Sequence, residues 1–128
     1  SLSPPINLNP KWLTIFAPYT LSKYGMTLLS IGMAQEFNDY GICVNTLWPE
    51  TYIATAAVTN NIANDEAVDV CRKPDIMADA AWTIITSRRT GQNEIDEAVL
   101  RAAGVTDFTG YACNPATIDR IQKDFFLD

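Results

Sequence analysis

The sequence contains no histidine. That excludes histidine-based catalytic triads and the common histidine-bearing metal sites. Acid–base work near neutral pH then falls to a perturbed Tyr, Lys, Asp, Glu or Cys. The three cysteines, Cys43, Cys71 and Cys113, are odd in number and widely spaced, with no Cys-x-x-Cys pair. Such usage fits reduced thiols in a cytoplasmic compartment. Positive charge is scarce: nine Lys and Arg against fifteen Asp and Glu give a net charge of −6. This argues against a nucleic-acid partner and against an anionic membrane surface, both of which want a basic face. No apolar run approaches the ~20 residues needed to cross a bilayer. The first residues lack the basic-then-apolar pattern of a secretion signal. Repeats and low-complexity segments are absent too. None of the six glycines stands in a cluster, so the glycine-rich turn that cradles a dinucleotide pyrophosphate is not among these residues.

What remains is a globular composition. Hydrophobic residues make up 48% and charged residues 19%, too apolar for disorder and sufficient for a core. Ser1-Leu2-Ser3, running into Pro4-Pro5, reads as the end of a strand, and residues 6–17 read as a loop rich in turn formers (Asn7, Asn9, Pro10). The pattern predicts a helix over 18–38, opened by Pro18. Its apolar residues lie almost all round (Tyr19, Leu21, Tyr24, Met26, Leu28, Leu29, Ile31, Met33, Phe37), which predicts burial on several sides. Gly25 and Gly32, seven apart, share a face where another backbone could come close.

Asp39-Tyr40-Gly41 makes a turn before a short buried strand, Ile42 to Trp48. Thr51 to Val70 reads as helical in part, weakened by Asn60-Asn61 and Asn64-Asp65. A further helix opens at Pro74-Asp75, with Ile76, Ala80, Ala81, Ile84 and Ile85 facing a core. Thr90-Gly91 ends it, Gln92 to Ile95 forms a last strand, and a short helix from Glu97 stops at Gly104. Irregular chain follows to Phe125-Phe126-Leu127. Helices alternating with buried strands predict an α/β fold with a parallel sheet covered on both faces. About three strands are too few for such a sheet, so further strands are expected to belong to it.

Tyr19 and Lys23 stand four apart on the predicted helix and project from one face. A phenol, with a free pKa near ~10, is a poor proton carrier at neutral pH. A neighbouring ammonium favours the phenolate and brings it toward the useful range. Ser3 could hydrogen-bond a substrate oxygen as its charge changes, so the three together suit proton transfer coupled to hydride transfer at a carbonyl. By composition alone, a Tyr-x-x-x-Lys spacing arises by chance in about one such chain in four. The plainer reading is a boundary tyrosine with a packed ring and a snorkelling surface lysine.

Neighbouring residues separate the two readings. Tyr19-Thr-Leu-Ser-Lys23, Ser3 upstream, Val44-Asn45-Thr-Leu-Trp-Pro49, Pro74-Asp-Ile-Met-Ala-Asp-Ala80, Thr90-Gly91 and Ile95-Asp96 follow in order and at fitting distances. Together they resemble the short-chain dehydrogenase/reductase family over about residues 1–97. Ser3-Pro-Pro with Asn7-Leu-Asn-Pro10, Trp48-Pro49 and Asp124-Phe-Phe-Leu-Asp128 look most like its hydroxysteroid-dehydrogenase-like group. The resemblance implies one partial domain, 1–128. Residues 1–97 would be the carboxyl-terminal half of a Rossmann-like doubly wound parallel sheet, and 98–128 an extension. The amino-terminal nucleotide-binding strands would then not be among these residues.

The resemblance also implies an NADP- or NAD-dependent oxidoreductase acting on a small carbonyl or alcohol. Tyr19 would be the general acid/base and Lys23 the ribose contact that lowers the tyrosine pKa. Ser3 would orient the substrate, and Pro49, Ile53 and Thr55 would line the nicotinamide and phosphates. Thr55 is equally a plain helix-start residue. The 18–38 helix would join subunits of a homo-oligomer. Three positions depart from the family pattern. Ser3 lies sixteen residues before Tyr19, with Pro4 where many members have the serine; Glu50 replaces a glycine; and Asp96-Glu97 stands for Asp-Gly-Gly. Without the glycine-rich turn, the chain by itself is expected to bind dinucleotide weakly and to lack activity. The alternatives are a non-catalytic scaffold or dimerisation module of the same fold, or an unrelated α/β domain.

Overall fold

The computed structural model describes residues 1–14, 16–61 and 65–128. Its contacts divide the chain into two units. The first holds Ser1–Trp48, Ile84–Ile95 and Phe125–Asp128; the second holds Pro49–Thr83 and Asp96–Asp124.

In the first unit, helix α1 (Pro10–Thr14) occupies part of the stretch read as a loop, whose Ile15 lies outside the described residues. Asn9 and Pro10 act here as cap and first helical residue. The Asn9 side-chain oxygen accepts from Lys11 N–H at 3.2 Å, and proline at the first helical position forfeits no hydrogen bond. Helix α2 (Ala17–Glu36) matches the predicted 18–38 within two residues.

Its faces correct the expectation of all-round burial. The buried stripe is Thr20, Tyr24, Thr27, Ser30 and Ala34, mostly small or hydroxylic. Those hydroxyls reach carbonyls on neighbouring chain: Thr20 donates to Trp12 O at 2.9 Å and Thr27 to Pro4 O at 2.6 Å. Short side chains seat the helix close, and the bonds satisfy carbonyls without a ladder partner. Leu21, Leu28 and Leu29 are exposed. A Cβ built at Gly25 or Gly32 would meet nothing within 4 Å, so among the described residues no other segment packs against those glycines.

Strand β1 (Thr46–Trp48) pairs in parallel with β2 (Asn93–Ile95), Thr46 opposite Asn93 and Trp48 opposite Ile95. Leu2 bridges Leu47 on the other side, also in parallel. The predicted strand over 42–48 is shorter because side chains replace its ladder bonds. Val44 N–H donates to Thr90 Oγ1 at 3.0 Å, and Asn45 Oδ1 accepts from Gln92 N–H at 3.0 Å. Gly91, at φ 74°, makes the turn that lets its N–H reach Val44 O. The unit's core is Tyr24, Trp48 and Phe126, flanked by Trp12, Ile95, Phe125 and Leu127. Phe126 thus returns from the stretch read as irregular to the centre of a core.

In the second unit, α3 (Ala56–Asn61) and a 3₁₀ turn at Asp65–Val70 realise the partly helical run; 62–64 within it lie outside the described residues. Helix α4 (Asp75–Ser87) starts where Pro74-Asp75 predicts and crosses from this unit into the first. Its buried stripe is Ile76, Ala80 and Ile84, four apart, whereas Ile85 is exposed, against expectation: it falls on the neighbouring face. Helix α5 (Asp96–Ala102) is followed by Gly104 at φ 97°. Three isolated bridges knit the rest: Thr51 with Lys123, Ile53 with Arg72, and Arg72 with Ala112. The tail adds 3₁₀ turns at Thr109–Tyr111 and Pro115–Arg120. Among the described residues, no helix is long and apolar enough to cross a membrane.

Candidate active site

Ser1-Leu2-Ser3 runs beside β1, with Leu47 N–H donating to Ser1 O at 2.8 Å. Helix α2 docks on this segment through residues spaced one turn apart. Lys23 Nζ donates to Leu2 O at 3.1 Å, and Thr27 donates to Pro4 O. Tyr19 stands one turn before Lys23 on the same face.

The Lys23 ammonium sits 5.9 Å from the centre of the Tyr19 ring and 5.4 Å from that of Trp48. It is thus held by one carbonyl and two π faces. Leu2 O takes one of its three N–H donors, which leaves capacity for further oxygen ligands. Tyr19 is 41% exposed and stacks on Phe126, centroids 6.2 Å apart and planes 18° from parallel. Its phenol therefore stands at the rim of a packed aromatic floor.

The second tyrosine of the helix is excluded from the same work. Tyr24 is 8% exposed, donates to Asn7 O at 2.6 Å and accepts from Asn7 N–H at 3.2 Å. Burial raises its pKa; the Asn7 hydrogen bond pulls down and the Asp128 charge pushes up. A buried phenol with both hydrogen-bond roles filled is a structural post.

The structure brings Tyr19 and Lys23 together and puts Lys23 on the carbonyl next to Ser3. Ser3 itself is fully buried, with Ser1 Oγ 3.4 Å from its hydroxyl. Pro49, Ile53 and Thr55 belong to the second unit. There Pro49 and Ile53 are buried and Thr55 is exposed, just before α3. Ile53 is fixed by backbone bonds around it: Arg72 N–H donates to Tyr52 O at 2.8 Å, and Ala54 N–H to Arg72 O at 2.9 Å. Asp96 Oδ1 holds Glu50 N–H at 2.8 Å and caps α5 through Glu97 N–H at 2.6 Å. Among the described residues, no group of three His, Cys, Asp or Glu could hold a metal ion.

Sequence reasoning missed the supports. Asn7 ties Tyr24 to the tail through Phe126 O at 2.9 Å and Asp128 Oδ2 at 3.0 Å. Lys11 and Trp12 also bind the Asp128 carboxylate. The signals for this were the Asn7-Leu-Asn-Pro10 and Asp124-Phe-Phe-Leu-Asp128 motifs, which do not say that the two meet.

No family model matches the chain. Over its whole length the chain is similar to curated proteins named hydroxysteroid dehydrogenase-like protein 2. Identity is 46% over 131 residues with the one from Xenopus laevis and 44% over 130 residues with the one from Homo sapiens. The chain spans 30% of the length of each. A solved short chain dehydrogenase from Mycobacterium thermoresistibile matches it with a TM-score of 0.86 at 47% identity, over 99% of this chain and 45% of that one.

Proposed function

Because the chain is a relative of the short-chain dehydrogenases in both sequence and fold, we propose that the protein carrying it interconverts a carbonyl and an alcohol with NAD or NADP. The fold is part of a Rossmann-like α/β fold. The observation that supports the activity is the Tyr19–Lys23 pair, with its ammonium fixed beside the exposed phenol. When bound, the nicotinamide supplies or receives the hydride. Tyr19 gives a proton to the substrate oxygen during reduction and takes one during oxidation. Lys23 favours the phenolate by its charge and directs its remaining donors to ribose hydroxyls. Ser3 is carried as the substrate-orienting residue by the resemblance alone, its hydroxyl being fully buried here. Pro49, Ile53 and Thr55 are the proposed contacts to nicotinamide and phosphates.

The pyrophosphate cradle is not among these 128 residues, so the chain alone should be inactive. Three widely spaced cysteines with no Cys-x-x-Cys pair suit a reducing, cytoplasmic setting. The exposed stripe Leu21, Gly25, Leu28 and Gly32 supports a homo-oligomer through α2. That stripe also favours the second reading, a scaffold or dimerisation module without catalysis. Turnover of the full-length protein with each dinucleotide, over a panel of small ketones and alcohols, separates the two. A folded protein that binds neither dinucleotide would leave only the scaffold.

A further inference from the structure

We propose that Asp128 is a positioning residue for Tyr19. It clamps the tail onto the segment from Asn7 to Trp12, which keeps the Phe126 ring against the phenol. The role rests on the reading of Tyr19 as the proton carrier. One carboxylate gathers donors from a single short stretch of chain. Asn7 Nδ2 reaches Asp128 Oδ2 at 3.0 Å. Lys11 Nζ, Asn9 Nδ2 and Trp12 Nε1 meet Oδ1 at 2.6, 3.3 and 3.3 Å. A lone exposed ion pair contributes little, but several donors converging on one carboxylate form a network. The Lys11 and Asn7 hydrogen bonds hold this carboxyl down at about 2. The clamp is therefore charged at every pH where a phenol could carry a proton.

The tail is held on both sides of Phe126. Upstream, Trp48 Nε1 donates to Phe125 O at 3.0 Å. At Phe126 itself, Asn7 Nδ2 donates to the carbonyl at 2.9 Å, and the same amide nitrogen bonds Asp128. Phe126 sits between these ties at φ 70°. A residue with a Cβ keeps such a conformation only where its surroundings enforce it. Its ring stacks on Tyr19, with planes 18° from parallel.

A second path to the phenol runs through Trp12. Its indole N–H is on Asp128, and its ring centre lies 5.8 Å from that of Phe126. Its carbonyl accepts from the hydroxyl of Thr20, the residue after Tyr19 on α2. Losing the carboxylate loosens the Phe126 backbone and the Trp12 indole together. A clamp that only stabilises the fold would lower the unfolding midpoint and leave the phenol's contribution to the rate intact. A positioning clamp is felt in the rate only where there is a phenol to position.

The test uses full-length protein with isotope-labelled tyrosine rings, each variant held well below its unfolding transition in urea. The Tyr19 ring signal in the NMR spectrum is assigned by its loss in Tyr19→Phe. In Asp128→Ala that signal should move as the Phe126 ring leaves it. There kcat should fall about tenfold to a hundredfold, the scale of a misplaced reacting group, with the dinucleotide KM within about twofold. Asp128→Glu keeps the carboxylate and should bring back the ring signal and most of the rate. The Asp128→Ala/Tyr19→Phe protein should turn over no more slowly than Tyr19→Phe alone, because coupled residues are not additive. An unmoved ring signal in folded Asp128→Ala overturns the proposal whatever the reaction is. So does a loss of rate that recurs undiminished without the phenol. Full turnover in Tyr19→Phe, or none in wild type, counts against the acid/base reading instead, and the ring signal still decides whether Asp128 positions Tyr19.

Discussion

Tyr19 and Tyr24 lie five residues apart on α2, and their surroundings set their roles. Tyr24 is locked to Asn7; Tyr19 stands at the rim beside Lys23. In the full-length protein, Tyr19→Phe should lower kcat by roughly 10²–10⁴-fold, the usual worth of a general acid/base, with dinucleotide affinity nearly unchanged. Ser3→Ala should cost less, because it removes an orienting contact and leaves the proton donor. Steady-state kinetics on both variants decide this, and wild-type turnover in Tyr19→Phe would remove Tyr19 from its role.

A second residue-scale effect concerns pH. Burial raises the Asp96 carboxyl above its ordinary value, against the Glu50 and Glu97 N–H bonds and the charge of Arg72, while the Glu97 charge adds to the rise. The folded state then holds the proton more tightly than the unfolded chain. The Asp96 contribution to stability must fall as pH rises from about 3.9 through the folded value. Asp96→Asn carries no such proton and should gain on wild type across that window, then run parallel above it. Urea midpoints over a pH series measure this, and a difference that stays flat would refute it. That Tyr19 and Lys23 share one helix was legible because their spacing is local. Asn7 and Phe126 were not, since they meet from opposite ends of the chain.

Helix α2 shows how much an element's boundaries reveal and how little its faces do. Pro18 and the long run without breakers located it to within two residues. Its apolar count suggested burial all round, yet the buried stripe is hydroxylic and the leucines face outward. Composition cannot say which face finds a partner; the Pro4 and Trp12 carbonyls decided it. Leu21, Gly25, Leu28 and Gly32 fall on one stripe, at spacings of four, three and four. A methyl added at Gly25 or Gly32 meets nothing within 4 Å. Alanine there should therefore stabilise a single subunit by up to ~1 kcal/mol per site. If subunits join through this stripe, the same methyls must intrude on the second backbone. The Gly25→Ala/Gly32→Ala protein should then dissociate more readily while its isolated subunit melts later. Leu28→Arg should also weaken association without unfolding, because Leu28 is 62% exposed. Sedimentation velocity reads the first effect and urea titration the second. An oligomer indifferent to both changes would place its interface elsewhere.

Across the whole molecule, the order of helices and strands in the sequence foretold the parallel pair Thr46–Trp48 with Asn93–Ile95. The route of the tail was hidden. Residues 125–128 join the first unit with segments that end at Ile95 or earlier in the sequence, and no local pattern encodes such a return. Phe126 carries the consequence. It is 3% exposed, and its ring centre lies 5.1 Å from that of Tyr24, 5.8 Å from Trp12 and 5.9 Å from Trp48.

Phe126→Ala should destabilise the first unit by about 3–5 kcal/mol, the range for emptying a large aromatic site. Backbone strain gives an internal control. Phe126 sits at φ 70°, in the left-handed region that disfavours every residue with a Cβ. Alanine inherits that strain, so its loss reports packing alone. Phe126→Gly relieves it and should recover roughly 1 kcal/mol of the loss, reversing the usual order of alanine above glycine. Because Tyr19 stacks on this ring, both variants should also lower kcat well below their unfolding midpoints, by releasing the phenol from its position. Guanidine unfolding and kinetics on the same preparations test both parts. Alanine more stable than glycine would refute the strain argument. Unchanged kcat in folded Phe126→Ala would show that Tyr19 does not depend on this floor.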